Sequence, residues 1–114
     1  MISKYKAIKT TVNGIVFDSK KEAAYYSSLL VMKMAKSEKD KVTKIELQPR
    51  FDYHITYSAN GKEYKKKAFY KADFKVHFAD GSVQIIDVKG FKTAEYKRKK
   101  KIVESLYNIE IIEK

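Results

Sequence analysis

The sequence predicts a small α/β (α+β) domain, with a central mixed sheet flanked by an N-terminal and a C-terminal helix. Three observations predict it. Segments following Ser19 and Thr93 carry apolar residues at helical spacing. Between them run alternating apolar and polar residues, punctuated by Asn60-Gly61 and Asp80-Gly81, the signals of strands joined by tight turns. The 114 residues suffice for one domain, residues 1–114, with one modest core.

Residues 1–11 are basic and polar and read as a loose arm. Asn13-Gly14 is a turn signal inside Val12 to Phe17, which reads as a short hairpin or an extended lead-in. Ser19 and Glu22 fit a capping box, so a helix starts there. Ala23, Tyr26, Leu30 and Met34 form its apolar face, widened by Leu29, and the helix fades over Lys36 to Lys41. Val42 to Leu47 and Phe51 to Tyr57 alternate as strands, with Pro49 at an end or a bulge because it cannot donate to a ladder. Lys62 to Lys67 is a basic strand or loop edge. Thr93 caps a second helix over about Ala94 to Leu106, whose core face is Lys99, Ile102, Val103 and Leu106. Ile109 to Ile112 is a last strand.

The stretch from Tyr70 to Lys89 reads as two strands joined by a turn. Side chains alternate faces along a strand, so Asp87 and Lys89 point the same way. A two-residue turn at Asp80-Gly81 would send Asp73 to the opposite face. A three-residue loop, Ala79-Asp80-Gly81, pairs His77 with Val83, Lys75 with Ile85 and Asp73 with Asp87. It also places Gly81 where a positive φ is required, and is the expected turn. Two carboxylates facing each other across a ladder repel, and a divalent cation compensates them.

Charge is the strongest compositional fact. Twenty-five basic and fourteen acidic residues give a net charge of +11, which points to a polyanionic partner, most often nucleic acid. The thirteen residues from Lys89 to Lys101 alone carry a net +6. No long apolar run predicts a membrane span, no signal-peptide pattern opens the chain, and no cysteine provides disulfides or thiolate metal sites. That usage suits a reducing cytoplasm.

Asp73, followed fourteen positions later by Asp87-Val88-Lys89, resembles the signature of the PD-(D/E)XK nuclease superfamily, with Ala72 in place of the proline. With Glu22, Gly90 and the lysine-rich helix, the chain from roughly Phe17 to Ile112 resembles small phage proteins of that superfamily and the phage endonuclease I type of Holliday junction resolvase. The resemblance implies a restriction-endonuclease-like core and a Mg²⁺-dependent phosphodiesterase, with Mn²⁺ as a substitute. It implies that Asp73 and Asp87, with the Val88 carbonyl, hold the metal. Glu22 would bind a second metal or orient water, Lys89 would act on the nucleophile or the phosphorane, and Gln48 would be an accessory group. Lys92, Lys97, Arg98, Lys100 and Lys101, together with Lys65 and Lys67, would grip the phosphate backbone. The implied setting is the cytoplasm of a phage-infected bacterial cell. The implied partner is DNA, with RNA left open, and a resolvase would be a homodimer. The alternative is an accessory protein that keeps the fold and binds nucleic acid without cutting. Nine tyrosines offer stacking platforms for that role.

Overall fold

A computed structural model of the chain describes residues 8–88 and 92–114. The first elements among the described residues are a two-stranded hairpin, β1 (Thr10–Val12) and β2 (Ile15–Phe17). Asn13 and Gly14 both take positive φ at its turn, the backbone a two-residue hairpin loop needs. Helix α1 (Lys20–Met32) follows, and the Ser19 hydroxyl accepts a hydrogen bond from the Glu22 N–H at 3.1 Å. Its core face is Ala23, Tyr26 and Leu29. Met34 lies beyond the helix end and is exposed, so the expected stripe stops one turn early. The loose arm expected over residues 1–11 does not extend to residue 11. Residues 1–7 lie outside the described residues, while Thr10 and Thr11 belong to β1.

The central sheet has the order β3–β6–β7–β8, built from β3 (Val42–Leu47), β6 (Phe74–Phe78), β7 (Val83–Asp87) and β8 (Ile111–Glu113). The first three strands are antiparallel and β8 pairs with β7 in parallel. That parallel pair needs a crossover. Helix α2 (Ala94–Tyr107) supplies it, capped by the Thr93 hydroxyl, which accepts from the Tyr96 N–H at 3.0 Å. Asn108 ends the helix in the left-handed conformation. The sheet is therefore mixed and has a helix at each end of the chain's path, as the sequence predicts.

The alternation of β6 and β7 splits the interior in two. Phe74, Val76, Phe78, Ile86 and Val88 pack with Phe17, Ala23, Tyr26 and Leu29 on the α1 side. Ile85 and Ile111 pack with Val103, Tyr53, Tyr70 and Ala72 on the other. In α2 only Val103 is buried; Leu106, expected on the core face, is exposed.

A long hairpin, β4 (Arg50–Ala59) and β5 (Lys62–Lys71), forms its own two-stranded sheet. This corrects the reading of Tyr70 to Phe78 as one strand. Lys71 ends the hairpin, the strand pairing breaks at Ala72 and Asp73, and β6 starts at Phe74. The Ala72 N–H donates to the Pro49 carbonyl and the Gln48 N–H to the Asp73 carbonyl, which ties the hairpin's two ends to the sheet.

Ile86 is wholly buried between the packed aromatic rings and the central strands. Ile86→Ala should lower unfolding free energy by about 2–5 kcal/mol in urea denaturation, through lost burial and the cavity left behind.

Candidate active site

The β6–β7 turn decides which carboxylates meet. Gly81 has φ +91°, its N–H donates to the Phe78 carbonyl, and the Phe78 N–H donates to the Ser82 carbonyl. This is the expected three-residue loop. The ladder then runs His77↔Val83, Lys75↔Ile85 and Phe74↔Ile86, as predicted from the sequence.

At Asp73 the ladder departs from the expected pairing with Asp87. The Asp73 N–H donates to the Ile86 carbonyl at 3.0 Å, although Ile86 already faces Phe74. Two residues thus oppose one, the arrangement of a bulge, which re-aims the side chain. The Asp73 carboxylate accepts a hydrogen bond from the Val88 N–H at 2.7 Å, beside Asp87. It also lines a cleft of about 230 Å³ with Glu22, Asp18, Gln48 and Phe17. Gln48 sits there because its backbone takes φ +50° after β3. Glu22, in the first turn of α1, and Gln48 therefore both reach the neighbourhood of Asp73, as the sequence suggests.

Asp87 is wholly buried. Its place in β7 is on the Ile85 side of the sheet, and the Tyr70 hydroxyl donates to its Oδ2. Burying a carboxyl group is costly unless it is hydrogen-bonded, and the Tyr70 bond offsets part of that cost. Lys89, Gly90 and Phe91 lie outside the described residues, and so does the expected role of Lys89.

One acidic residue was missed by sequence reasoning. Glu113 pairs with Asp87 across the parallel β7–β8 ladder. It accepts from the Tyr96 hydroxyl at 2.8 Å and forms ion pairs with Lys92 at 3.3 Å and Lys100 at 3.9 Å. The Tyr96 bond and these cations hold its carboxyl below the usual range. The available signal was register: a parallel strand after a βα unit carries its last residue alongside Asp87. Burial, the Glu113 hydrogen bond and the fields of Asp87, Glu113 and Asp73 push the Tyr96 phenol far above its ordinary value. Both aspartates therefore act on one hydroxyl.

Among the described residues, no three His, Cys, Asp or Glu side chains are grouped closely enough to hold a metal ion by themselves. Two of the cations expected to contact phosphate, Lys92 and Lys100, are turned onto Glu113. His77, by contrast, lies 2.6 Å from Glu46 on the neighbouring strand. That contact gives it a structural partner away from the cleft.

The sequence model of the family described as "Protein of unknown function (DUF1064)" matches residues 2–111. The chain belongs to that family. No curated protein and no solved structure matches it. Among the described residues, no helix is long and apolar enough to cross a membrane.

Two outcomes follow from this geometry. Tyr70→Phe removes the donor to a buried carboxylate and should cost about 1–3 kcal/mol in urea denaturation. Tyr96 has a raised folded pKa, so any stability it contributes by staying protonated is full below the ordinary phenol value and is lost only in alkali above it. At about pH 11, where an ordinary tyrosine is ionised, Tyr96→Phe should leave the phenolate absorbance of the folded protein unchanged. A drop equal to one tyrosine would contradict the shielding.

Proposed function

We propose that the chain is a metal-dependent endonuclease acting on DNA phosphodiester bonds, with branched DNA in replication or recombination as its substrate class. The observation that carries this reading is that the Asp73 carboxylate reaches the strand end that carries Asp87. The Asp73 carboxylate is bonded to the N–H of the residue after Asp87, which is itself wholly buried. Two carboxylates at one strand end lose stability to like-charge repulsion unless a cation compensates them. A chain of net charge +11 supplies the complementary surface for a polyanion.

The donor set fits a small hard cation. All candidate ligand atoms are oxygens, and Mg²⁺ keeps several waters, so two carboxylates need no third protein group in the same cluster. Asp73 and Asp87 would hold such an ion, with the Val88 carbonyl beside them and Glu22 across the cleft. When bound, the ion lowers the pKa of a water and offsets the charge that builds on the phosphorane. Tyr70 keeps Asp87 oriented, and Val88 keeps Asp73 oriented, so neither carboxylate needs to be ordered when substrate arrives. Tyr96 holds its proton and donates its hydroxyl to Glu113, the ladder partner of Asp87. Lys89 would place its ammonium at the attacked phosphate, and its part in the reading rests on the Asp87-Val88-Lys89 pattern alone.

The test is cleavage of four-way junction, branched, linear duplex and single-stranded DNA, and of RNA, with Mg²⁺, Mn²⁺ or EDTA. Metal-dependent cutting is expected. Asp87→Asn should reduce it by roughly 100-fold or more, and Lys89→Ala should abolish it while leaving binding in EDTA nearly unchanged. Salt-sensitive binding without cutting under any metal would instead make the protein a non-cleaving accessory factor.

A further inference from the structure

The β4–β5 ribbon is long and, beyond its base, stands apart from both cores. Burial on it is confined to its base, at Tyr53 and Tyr70, with Phe51 and Ala68 packed against them. Beyond Tyr53, every residue of β4 up to Ser58 is exposed, and so is every residue of β5 before Ala68. Only its base is fastened to α2, where the Tyr107 hydroxyl donates to the Asp52 carbonyl at 2.6 Å and its ring meets Phe51 edge-on. The radius of gyration is 16.9 Å, against about 13 Å for a compact domain of this length. An isolated two-stranded ribbon is marginal in water, so the six paired positions beyond the base, His54↔Lys67 to Ala59↔Lys62, call for an occupant.

Its charge says which occupant. Residues 50–71 carry six cations and two carboxylates. One carboxylate, Asp52, is neutralised by Arg50 at 2.9 Å. Register places Arg50, Lys71, His54, Lys67 and Lys65 on one face, with Asp52 near its base and Glu63 near its tip. No carboxylate lies within ion-pair distance of Lys65, Lys67 or Lys71 among the described residues. The opposite face adds Lys62 and Lys66 around the stacked rings of Tyr57 and Tyr64. A ribbon with cations on both faces meets phosphates on both sides when it lies in a groove.

We propose that the β4–β5 ribbon is a duplex-DNA-binding arm that lies in the major groove. The B-form major groove admits a two-stranded ribbon, whereas the A-form major groove of duplex RNA is too narrow for one. This deepens the nucleic-acid part of the reading above and is independent of whether the site cuts.

The test is binding of a fluorescent DNA duplex by the full chain in EDTA, followed by anisotropy across a salt series. Lys65→Gln, Lys67→Gln and Lys71→Gln together should lower the slope of log affinity against log salt by about 2.7, the value for three lost phosphate contacts. The matched variant Lys36→Gln, Lys39→Gln, Lys41→Gln, in the exposed segment after α1, should change it by less than about one. Duplex RNA should bind at least about tenfold more weakly. An unchanged slope in the ribbon variant, equal loss in the control, equal affinity for duplex RNA, or a change of oligomeric state in sedimentation would each overturn the proposal. Because EDTA removes any metal chemistry, these outcomes leave the cleavage assay to decide the nuclease reading separately.

Discussion

The register of the β6–β7 hairpin is the constraint on which the rest of this structure depends. Side chains alternate with a period of two, so a slip of one residue exchanges the buried and exposed sets of a strand. Here such a slip would bring Lys75 and His77 into the α1 core in place of Phe74, Val76 and Phe78. It would also move Asp87 away from Tyr70. A single left-handed glycine, Gly81, fixes the loop that prevents this. Core formation and site formation are thus set by the same turn.

The acidic end of the ladder is held by neighbours from distant parts of the chain. Tyr70 arrives from the ribbon, Tyr96 from α2, Glu113 from the parallel strand, and Gln48 from the end of β3. Each contributes a hydrogen bond or a field, and Tyr70 also packs in the second apolar cluster. This explains why a buried carboxylate can persist in a small domain with only two modest apolar clusters.

Much of this was legible in the sequence because it is local. Ser19 and Thr93 as caps, Asn13-Gly14 and Asn60-Gly61 as turns, and the Ala79-Asp80-Gly81 loop all follow from short-range backbone chemistry. What escaped was set by tertiary geometry. The break at Ala72 and Asp73 separates two sheets within a continuous alternating run, and alternation alone cannot reveal it. The bulge that turns Asp73 out of its pairing with Asp87 has no glycine or proline to announce it. Met34 and Leu106 keep helical spacing but lie where no second layer covers them. Glu113 is recognisable only once β8 is known to run parallel to β7.

The joint between the ribbon and the sheet has a mechanical meaning. Both ribbon strands enter through Gln48-Pro49 and Ala72-Asp73, two short segments bonded to each other. From that joint the ribbon reaches about 30 Å to its tip, at roughly 3.4 Å per residue. That joint is also part of the wall of the cleft beside Asp73. A rotation of about ten degrees there would sweep the tip through about 5 Å, so the geometry of the cleft wall sets where the tip of the ribbon lies.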